Sequence, residues 1–208
     1  THKISIIIPA RNEEENLSEQ FQKLIKFLNK KKIKTEIVLV NDCSVDSTGR
    51  ICEELKKKFR NVKIVNRKSN PGMGAALKEG TRKSSGKIII WVMGDLEDDL
   101  NAIPVFINKI ENGADMVIAS RYIKGGSSGD LSTIKKVLSL GFSILSRILV
   151  GIKVHDVTYA YRAFRKEVFE KIKLEYNNYA ISPEFALKAH IKGFKLDEVP
   201  AGYKSKQR

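Results

Sequence analysis

The sequence of 208 residues predicts an α/β fold with a mostly parallel sheet flanked by helices. Short runs of β-branched residues alternate with helix-like segments over residues 1–120. The strand-like runs are continuously apolar, which is typical of strands covered on both faces. Because strand, helix and strand alternate, we expect parallel strands joined by right-handed crossovers. The composition, 42% hydrophobic and 30% charged, is globular and excludes a disordered chain.

Five strands and four helices are predicted in this first region. The strands are Ile4–Pro9, Glu36–Val40, Val62–Val65, Lys87–Val92 and Met116–Ala119. The helices are Asn12 to about Leu28, Asp46–Lys57, Gly74–Lys83 and Asn101–Glu111. The first helix is predicted from a capping box, in which Asn12 is followed three residues later by Glu15. Ligands of such sheets bind beyond the carboxyl ends of the strands, so we expect the functional site in the loops there.

The rest of the chain is predicted to hold a long apolar helix, Ile134–Ile152, after a Gly/Ser-rich loop. A strand at Tyr159–Phe164, a helix that opens at Ser182 and Pro183, and a strand at Leu196–Val199 follow it. The long helix carries a narrow stripe of three serines and is surrounded by basic residues: Ser139, Ser143 and Ser146, with Lys135, Lys136, Arg147 and Lys153. Two interpretations stay open, a helix lying in the membrane interface and a buried core helix.

The charge balance is strongly basic. Lys and Arg number 38 against 24 Asp and Glu, which gives a net charge of +14. Such a field favours nucleic acid, an anionic membrane face or phosphate-bearing substrates, or else reflects a lysine-rich solvated surface. We expect no nucleic-acid partner, because the stacking aromatics and recognition helix of such proteins are lacking. Two cysteines, Cys43 and Cys52, are too few for a disulfide framework and indicate a reducing compartment.

Carboxylates follow three of the predicted strands. Arg11 and Glu13 come after the first strand, Asp42 after the second, and Asp95 and Glu97 after the fourth. An unpaired cluster of this kind repels itself, and a hard divalent cation or the hydroxyls of a sugar would relieve the repulsion. Mg²⁺ or Mn²⁺ takes one or two carboxylates together with substrate phosphate oxygens. We therefore predict that Asp95 and Glu97 hold a divalent cation.

Two further features concern phosphate binding. The segment Asn70–Ala76 resembles a dinucleotide-binding fingerprint, but it does not lie in the first strand–helix turn, so we interpret its glycines as a tight turn that lets the helix pack closely. Arg121, Arg162 and Arg165 are candidate cations for phosphates, and Arg121 is the strongest because it follows a strand at the same sheet edge.

The order and spacing of the motifs resemble the family 2 glycosyltransferases over nearly the whole chain. The motifs are PARNEEENL, VNDCSVDST, NPGMGAALKEG, VMGDLEDD, ASRYIKGG, HDVTYAYRAFR and EFALKAHIKGFKLDEVP. Within that family they are most similar to the dolichyl-phosphate mannose synthases and other polyprenyl-phosphate sugar synthases. The stretches Ser120–Gly126 and Asp156–Phe164 favour this lipid-phosphate branch.

The resemblance implies a single GT-A catalytic domain over residues 1–208, with a nucleotide-sugar half at 1–120 and an acceptor half at 121–208. It also implies that a C-terminal membrane region is absent from this chain. The implied activity is inverting transfer of a hexose from a nucleotide-diphosphate sugar, GDP-mannose or UDP-glucose, to dolichyl or polyprenyl phosphate. The implied place is the cytoplasmic face of an anionic membrane, with Mg²⁺ or Mn²⁺ as cofactor.

The resemblance also implies roles for the residues that match the family's motifs. The nucleotide-sugar site would contain Pro9, Arg11, Glu13, Val40, Asp42, Gly94, Asp95, Glu97, Arg121 and Lys206. Within it, Asp95 and Glu97 would bind the metal, and Asp95 and Arg121 would be catalytic. A polyprenyl phosphate is itself an anionic nucleophile, since a phosphate monoester loses its second proton near about pH 6. No general base is then required, and His155 is expected to be structural.

The chain departs from the family pattern near the metal loop. Met93 stands where the family usually has the first Asp, and Glu97 stands where it has Gln. Thr158, Tyr159 and Ala160 replace the usual Thr-Ser-Gly element. Two alternative functions therefore stay open, a family 2 transferase with a non-lipid or polysaccharide acceptor and a catalytically silent nucleotide-sugar-binding module. The base and sugar of the donor are undecided as well.

Overall fold

A computed structural model of the chain describes residues 3–93, 98–129 and 131–202. The described chain forms two compact units. One contains residues 3–93 together with 177–179, and the other contains residues 98–129, 131–176 and 180–202.

The first unit is a parallel sheet with helices in its crossovers. Its strands are β1 (Ile4–Ala10), β2 (Glu36–Asp42), β3 (Val62–Arg67) and β4 (Ile88–Trp91), in the order β3-β2-β1-β4. Its helices are α1 (Leu17–Lys30), α2 (Thr48–Lys58) and α3 (Met73–Lys83). All three strand pairings are parallel. The α/β prediction is confirmed, and the apolar runs lie where it expects them: every residue of β1 and β4 is buried.

A charged group lies within the core at the start of β2. The carboxylate of Glu36 is 3% exposed and accepts hydrogen bonds from Ser5 Oγ (2.5 Å), the Ser85 N–H (2.7 Å) and Lys63 Nζ (2.8 Å). Burial disfavours the ionised carboxylate, but these hydrogen bonds outweigh it and lower the pKa of Glu36 to about 2. Glu36 therefore joins three elements of the first unit.

The capping-box prediction for the first helix is wrong. Helix α1 begins at Leu17 with Asn16 at its N-cap, whereas Asn12 lies in the preceding loop with a φ of 54°. The Asn12 Oδ1 accepts the Val45 N–H at 3.0 Å, so its side chain joins the loop after β2 instead of a helix end. Asn is among the residues that tolerate this left-handed conformation. Asn12 therefore joins two loops and does not cap a helix.

The second unit contains three strands and four helices among its described residues. In chain order they are α4 (Ala102–Glu111), β5 (Met116–Ser120), α5 (Thr133–Val150), β6 (Arg162–Arg165), α6 (Lys166–Lys171), α7 (Ile181–Ile191) and β7 (Leu196–Pro200). β5 pairs with β7 in parallel and with β6 antiparallel. The strand predicted at Tyr159–Phe164 starts only at Arg162, and the short helix α6 is not predicted.

Helix α5 buries its polar stripe and exposes its apolar side chains. Its buried residues are Ser143 and Ser146, whose hydroxyls donate to the carbonyls of Ser139 (2.9 Å) and Phe142 (2.8 Å). Six of its apolar side chains are more than half exposed: Ile134, Val137, Leu138, Leu145, Ile148 and Leu149. We call these six residues the α5 apolar face. The interpretation as a buried core helix is therefore wrong. Over the described residues, no helix is both long and apolar enough to cross a membrane.

Candidate functional site

A cavity of about 280 Å³ lies at the carboxyl edge of the first unit's sheet. Its lining residues are Pro9, Ala10, Arg11, Glu13, Asp42, Gly72, Met73, Met93, Asn178 and Tyr179. Four of these, Pro9, Arg11, Glu13 and Asp42, are predicted site residues that the strand ends bring together. The volume is near the lower end of the roughly 300–1,000 Å³ that is typical of small-ligand pockets.

The loops after β1 and β2 are joined by reciprocal hydrogen bonds. The Glu13 N–H donates to Thr48 Oγ1 at 2.8 Å, and the Ser47 N–H donates to Glu14 Oε2 at 2.8 Å. The Asp46 carboxylate accepts the N–H groups of Thr48 (3.0 Å) and Glu14 (3.2 Å). The two loops thus hold each other in place, and they fix Glu13 at the rim of the cavity.

Asp42 closes β2 and is 3% exposed. Its Oδ1 accepts a hydrogen bond from Arg67 Nη1, and its Oδ2 accepts the Gly72 N–H at 2.7 Å. Arg67 also donates to Glu79 at 3.1 Å. The carboxylate is therefore held rigidly, and because each of its oxygens carries two lone pairs it can still accept from a ligand. Its partners hold it as an oriented acceptor for N–H and O–H groups of a ligand.

Two glycines of the third loop allow a distant segment to approach. A Cβ at Gly72 would lie 2.4 Å from the Asn177 carbonyl oxygen, and one at Gly74 would lie 2.8 Å from that of Asn178. The Ala75 N–H donates to the Asn177 carbonyl at 3.0 Å. These glycines do serve close packing, as expected, but they pack against residues 177–178 and so bring Tyr179 to the cavity. Tyr179 is 77% exposed.

Other predicted site residues lie elsewhere. Val40 is fully buried in β2, where its Cγ2 faces Gly80 of α3, and it does not line the cavity. Gly94, Asp95, Glu97 and Lys206 lie outside the described residues. Within residues 3–93, 98–129 and 131–202, no group of three His, Cys, Asp or Glu side chains is placed to hold a metal ion. Asp95 and Glu97 therefore stay a prediction.

Arg121, in the second unit, is held by a buried carboxylate. Its Nε donates to Asp156 Oδ2 (2.7 Å), and its Nη2 donates to Asp156 Oδ1 (3.0 Å) and Thr158 Oγ1 (2.8 Å). Its guanidinium also lies 4.8 Å from the centre of the Tyr159 ring. Burial lowers the pKa of Arg121, but the hydrogen bond and charge of Asp156 outweigh it and raise the pKa. Nη1 has no hydrogen-bond partner among the described residues, so it can donate to an anion.

The same cluster extends to a second buried acid. Tyr159 donates its hydroxyl to Asp98 Oδ1 at 2.6 Å, and both residues are buried. Burial and the charge of Asp98 raise the pKa of Tyr159 well above its usual value, so Tyr159 stays a neutral donor. Nearby in the sequence, His155 is paired with Glu198 through Nδ1 at 2.5 Å, which agrees with the expected structural role.

The other two arginines predicted as cations for phosphates, Arg162 and Arg165, both donate to backbone carbonyls. Arg162 is fully buried and donates to the carbonyls of Ser182 (2.9 Å), Tyr159 (2.5 Å) and Val157 (3.4 Å). Arg165 donates to the carbonyls of Ala114 and Ile110. Arg162 therefore supports the backbone, whereas Arg165, whose Nε also lies 3.7 Å from Asp115, keeps its Nη1 without a hydrogen-bond partner among the described residues.

Several residues that line the cavity could not be identified from the sequence. Asn178 and Tyr179 lie far along the chain from the strand-end loops, and no motif marks them. Met73 follows the glycine turn, and Met93 was noted only as a departure from a family pattern. The Asp156 partner of Arg121 could have been found, since a lone acid among apolar residues in a basic chain needs a cation when it is buried.

Parallel strands whose carboxyl-end loops enclose a small cavity define an α/β protein that binds a ligand at its strand ends. The chain belongs to glycosyl transferase family 2, because that family's model matches residues 5–173. The resemblance drawn from its motifs is thereby confirmed.

Two named relatives cover nearly the whole chain. The dolichol-phosphate mannosyltransferase of Pyrococcus furiosus is 35% identical over 201 residues, which is 95% of this chain and 55% of that protein. The polyprenol monophosphomannose synthase of Mycolicibacterium smegmatis is 29% identical over 214 residues, which is 100% of this chain and 79% of that protein. The chain thus spans about half the length of the Pyrococcus relative.

Solved structures show the same fold. Glucosyl-3-phosphoglycerate synthase of Mycobacterium tuberculosis, in complex with Mn²⁺, uridine diphosphate and phosphoglyceric acid, matches with a TM-score of 0.75 and 16% identity, over 100% of this chain and 71% of that chain. TarS of S. aureus (residues 1–349), in complex with UDP-GlcNAc, matches with a TM-score of 0.68 and 17% identity, over 99% and 59% of the two chains. The predicted GT-A fold is confirmed.

Proposed function

We propose that this chain transfers a hexose, with inversion, from a nucleotide-diphosphate sugar to a polyprenyl phosphate. The observation that carries the proposal is the cavity in which the matched residues Pro9, Arg11, Glu13 and Asp42 meet at the strand ends. The names of the two relatives support mannose as the sugar and a dolichyl or other polyprenyl phosphate as the acceptor. GDP-mannose is then the first donor to test and UDP-glucose the second.

The cavity offers suitable groups for a nucleotide. The exposed ring of Tyr179 is a surface on which a base can stack. The oriented carboxylate of Asp42 can accept from the base or the ribose. The side chain of Arg11 is exposed and makes no hydrogen bond or ion pair with the described residues, so it is available to a phosphate. We assign the nucleoside to Asp42 and Tyr179, and phosphate contacts to Arg11.

We assign the divalent cation to Asp95 and Glu97, and the donor phosphates near it to Gly94 and Lys206. The neighbours solved with Mn²⁺ or Mg²⁺ together with uridine diphosphate support a cation in such sites. When bound, the cation would neutralise charge on the diphosphate leaving group. Among the described carboxylates of the cavity, Asp42 is already paired with Arg67, so it is not assigned as a metal ligand.

The reaction is a displacement at the anomeric carbon. An oxygen of the acceptor phosphate forms the new C–O bond, while the bond to the donor's β-phosphate oxygen breaks and the diphosphate departs with the electron pair. The products are a polyprenyl-phosphate sugar of inverted configuration and a nucleoside diphosphate. Because the acceptor is ionised above about pH 6, no residue has to remove a proton. We assign Arg121, through its Nη1, to charge on the reacting phosphates.

The acceptor places the reaction at a membrane. We propose that the α5 apolar face rests on an anionic bilayer, at the cytoplasmic side. The exposed side chains of that face and the basic residues beside it, Lys135 and Arg147, suit an interfacial helix. The free thiols of Cys43 and Cys52 agree with a reducing compartment.

One observation favours a second candidate, a nucleotide-sugar-binding module without activity. Met93 lines the cavity at the position where the family usually has an acidic residue. Such a module would bind the donor but would not turn it over.

A transfer assay separates these possibilities. Purified protein is incubated with radiolabelled GDP-mannose or UDP-glucose, Mn²⁺ and dolichyl phosphate, and label extracted into organic solvent is counted. We expect label in the lipid fraction with one donor, and none when the lipid is left out. Donor binding without transfer would support the silent module. Equal donor consumption with and without the lipid would point to a different acceptor.

A further inference from the structure

A second cavity lies at the carboxyl-terminal end of α5, within the second unit. It has a volume of about 460 Å³ and is lined by Ile144, Arg147, Ile148, Ile152 and Lys153. Helix α5 ends at Val150, and the C-cap residue Gly151 has a φ of 73° and donates its N–H to the Arg147 carbonyl at 3.1 Å. This left-handed residue turns the chain, so that Ile152 and Lys153 line the same groove as the last turns of the helix. We call it the Arg147–Lys153 groove.

The groove is apolar along its floor and cationic at its rim. Ile152 is 2% exposed, whereas Ile144 and Ile148 are 45% and 74% exposed. The side chains of Arg147 and Lys153 are exposed and form no hydrogen bond or ion pair with any residue that the structure describes. No Asp or Glu occurs in the sequence from residue 131 to residue 155. The nearest acidic residue in the sequence is Asp156, three residues after Lys153, and its carboxylate is paired with Arg121.

The groove is continuous with the α5 apolar face, since Ile148 belongs to both. With 3.6 residues per turn, Lys135 and Arg147 lie on opposite borders of that face. Basic side chains at the borders of an apolar helix face are typical of helices in the membrane interface, where the charge reaches the head groups. At Arg147 this border is also the rim of a groove that holds a second cation, Lys153.

We propose that the Arg147–Lys153 groove binds one anionic phospholipid. The head-group phosphate lies between the two cations, and the first methylenes of an acyl chain lie along Ile144, Ile148 and Ile152. Charge complementarity favours an anionic over a zwitterionic lipid. The isoleucine floor favours a lipid over a free phosphate ion, which gains nothing from apolar contacts. This lipid is a ligand and is not consumed, so the site is separate from the transfer reaction and its test does not depend on turnover.

The test is co-sedimentation of the protein with sucrose-loaded vesicles. One set contains phosphatidylcholine alone, and the other contains phosphatidylcholine with phosphatidylglycerol. We expect preferential binding to the second set. The double variant R147Q/K153Q should bind these vesicles about 10–30-fold more weakly, as loss of two surface charges predicts. Both side chains are exposed, so the fold should be retained, and circular dichroism checks this.

The matched control removes two other exposed lysines of the same unit that lie outside α5, in the double variant K173Q/K192Q. It has the same net charge as R147Q/K153Q, and it should lose clearly less affinity. Equal losses in the two double variants would overturn the site, because binding would then depend on diffuse charge. Equal binding to both sets of vesicles would overturn it as well.

Two further arms exclude other occupants. Inorganic phosphate, compared with NaCl at matched ionic strength, should not release the protein from the vesicles; release specific to phosphate would mean an anion site without a lipid. Vesicles of phosphatidylcholine with dolichyl phosphate should not replace phosphatidylglycerol at matched surface charge. A wild-type protein that binds no vesicles and sediments as a dimer would show that a second copy covers the groove.

Discussion

The guanidinium of Arg121 and the carboxylate of Asp156 form a two-point ion pair, with distances of 2.7 Å and 3.0 Å, and Asp156 is fully buried. Asp156 also accepts the N–H groups of Thr158 and Tyr159, each at 3.2 Å. All of its acceptor capacity is thus used within the second unit. A carboxylate so occupied is a positioning residue for Arg121 and not a base for the acceptor.

The first prediction tests this division of roles. In Asp156→Asn, Arg121 loses its charged partner, and we expect the transfer rate to fall about 10–100-fold, in line with the loss of a charged hydrogen bond. The acid limb of the pH–rate profile should keep its midpoint near about pH 6, because it reports the acceptor phosphate. If Asp156 were instead a general base, Asp156→Asn would abolish the acid limb of the profile. Rate measurements from pH 5 to 8 decide between the two.

Because removing one partner of a buried pair destabilises the protein, a milder variant is needed as well. Thr158→Val removes the hydrogen bonds that Thr158 Oγ1 makes with Arg121 Nη2 (2.8 Å) and with Asp156 Oδ1 (3.0 Å), and it keeps the side-chain shape and the Arg121–Asp156 ion pair. We expect a smaller fall in rate, with the KM for the donor unchanged. A rate in Thr158→Val equal to wild type, together with an unfolded Asp156→Asn, would leave Asp156 with a structural role alone and contradict the prediction.

The second prediction concerns Tyr179 and the donor. Removal of a stacking ring costs about 1–3 kcal/mol per base, so Tyr179→Ala should weaken nucleotide binding about tenfold or more. Tyr176 is the matched control, since it is 54% exposed, lies three residues earlier and does not line the cavity. Calorimetric titration with GDP and UDP measures both variants. Equal affinities for Tyr179→Ala and Tyr176→Ala would remove Tyr179 from the site.

The strand ends of the first unit could be predicted from sequence because the rule behind them is general. Continuous apolar runs become parallel strands, and polar residues at their carboxyl ends meet at one edge. This rule correctly predicts that Arg11, Glu13 and Asp42 lie close together, and all three line the cavity. The same rule does not predict that Tyr179 lines the cavity. Residues 177–179 approach it through backbone packing at Gly72 and Gly74, and neither segment carries a sequence pattern that indicates contact with the other.

The burial of certain polar side chains could not be predicted from the sequence either. Periodicity shows which residues of α5 share a face, but it does not show which face is covered, and here Ser143 and Ser146 pack inward because their hydroxyls are satisfied within the helix. Arg162 is buried for the same reason, because backbone carbonyls accept the hydrogen bonds of its guanidinium in the core. Hydrophobicity alone assigns such residues to the surface.

The third prediction concerns the metal loop. Asp95→Ala should abolish transfer and leave the fold intact, because the cation proposed at Asp95 and Glu97 would be lost. Glu54→Gln, which removes an exposed acid that pairs with Arg50 on α2, is the control and should behave as wild type. Thermal unfolding with GDP or UDP, with and without Mn²⁺, gives a second readout. A ligand at about 100 times its dissociation constant adds roughly 2.7 kcal/mol of stability.

We expect the Mn²⁺-dependent part of this nucleotide stabilisation to disappear in Asp95→Ala and to increase in Met93→Asp, which adds a carboxylate to the cavity lining. Unchanged turnover in Asp95→Ala would refute the assignment of the metal loop. Nucleotide stabilisation that ignores Mn²⁺ in the wild type would mean that no cation takes part in donor binding.

The fourth prediction links Glu36 to acid stability. The folded state holds the pKa of Glu36 at about 2, below its usual value of 4.5, because Lys63, Ser5 and the Ser85 N–H favour the carboxylate more than burial disfavours it. A group whose pKa is lowered on folding stabilises the protein above its unfolded pKa, and this stabilisation is lost as the pH falls through the folded pKa. The contribution of Glu36 should therefore be complete above about pH 4.5 and decline towards pH 2.

Glu36→Gln provides the comparison. At pH 7 it should lower the free energy of unfolding by about 1–3 kcal/mol, the cost of a lost charged hydrogen bond in a buried site. The difference from wild type should narrow as the pH falls from 4.5 towards 2, because protonation then removes the same charge from the wild type. Urea unfolding at several pH values measures it, with the exposed Glu19→Gln as control. A difference that stays constant over this range would mean that the charge of Glu36 does not stabilise the fold and that the variant acts only through packing.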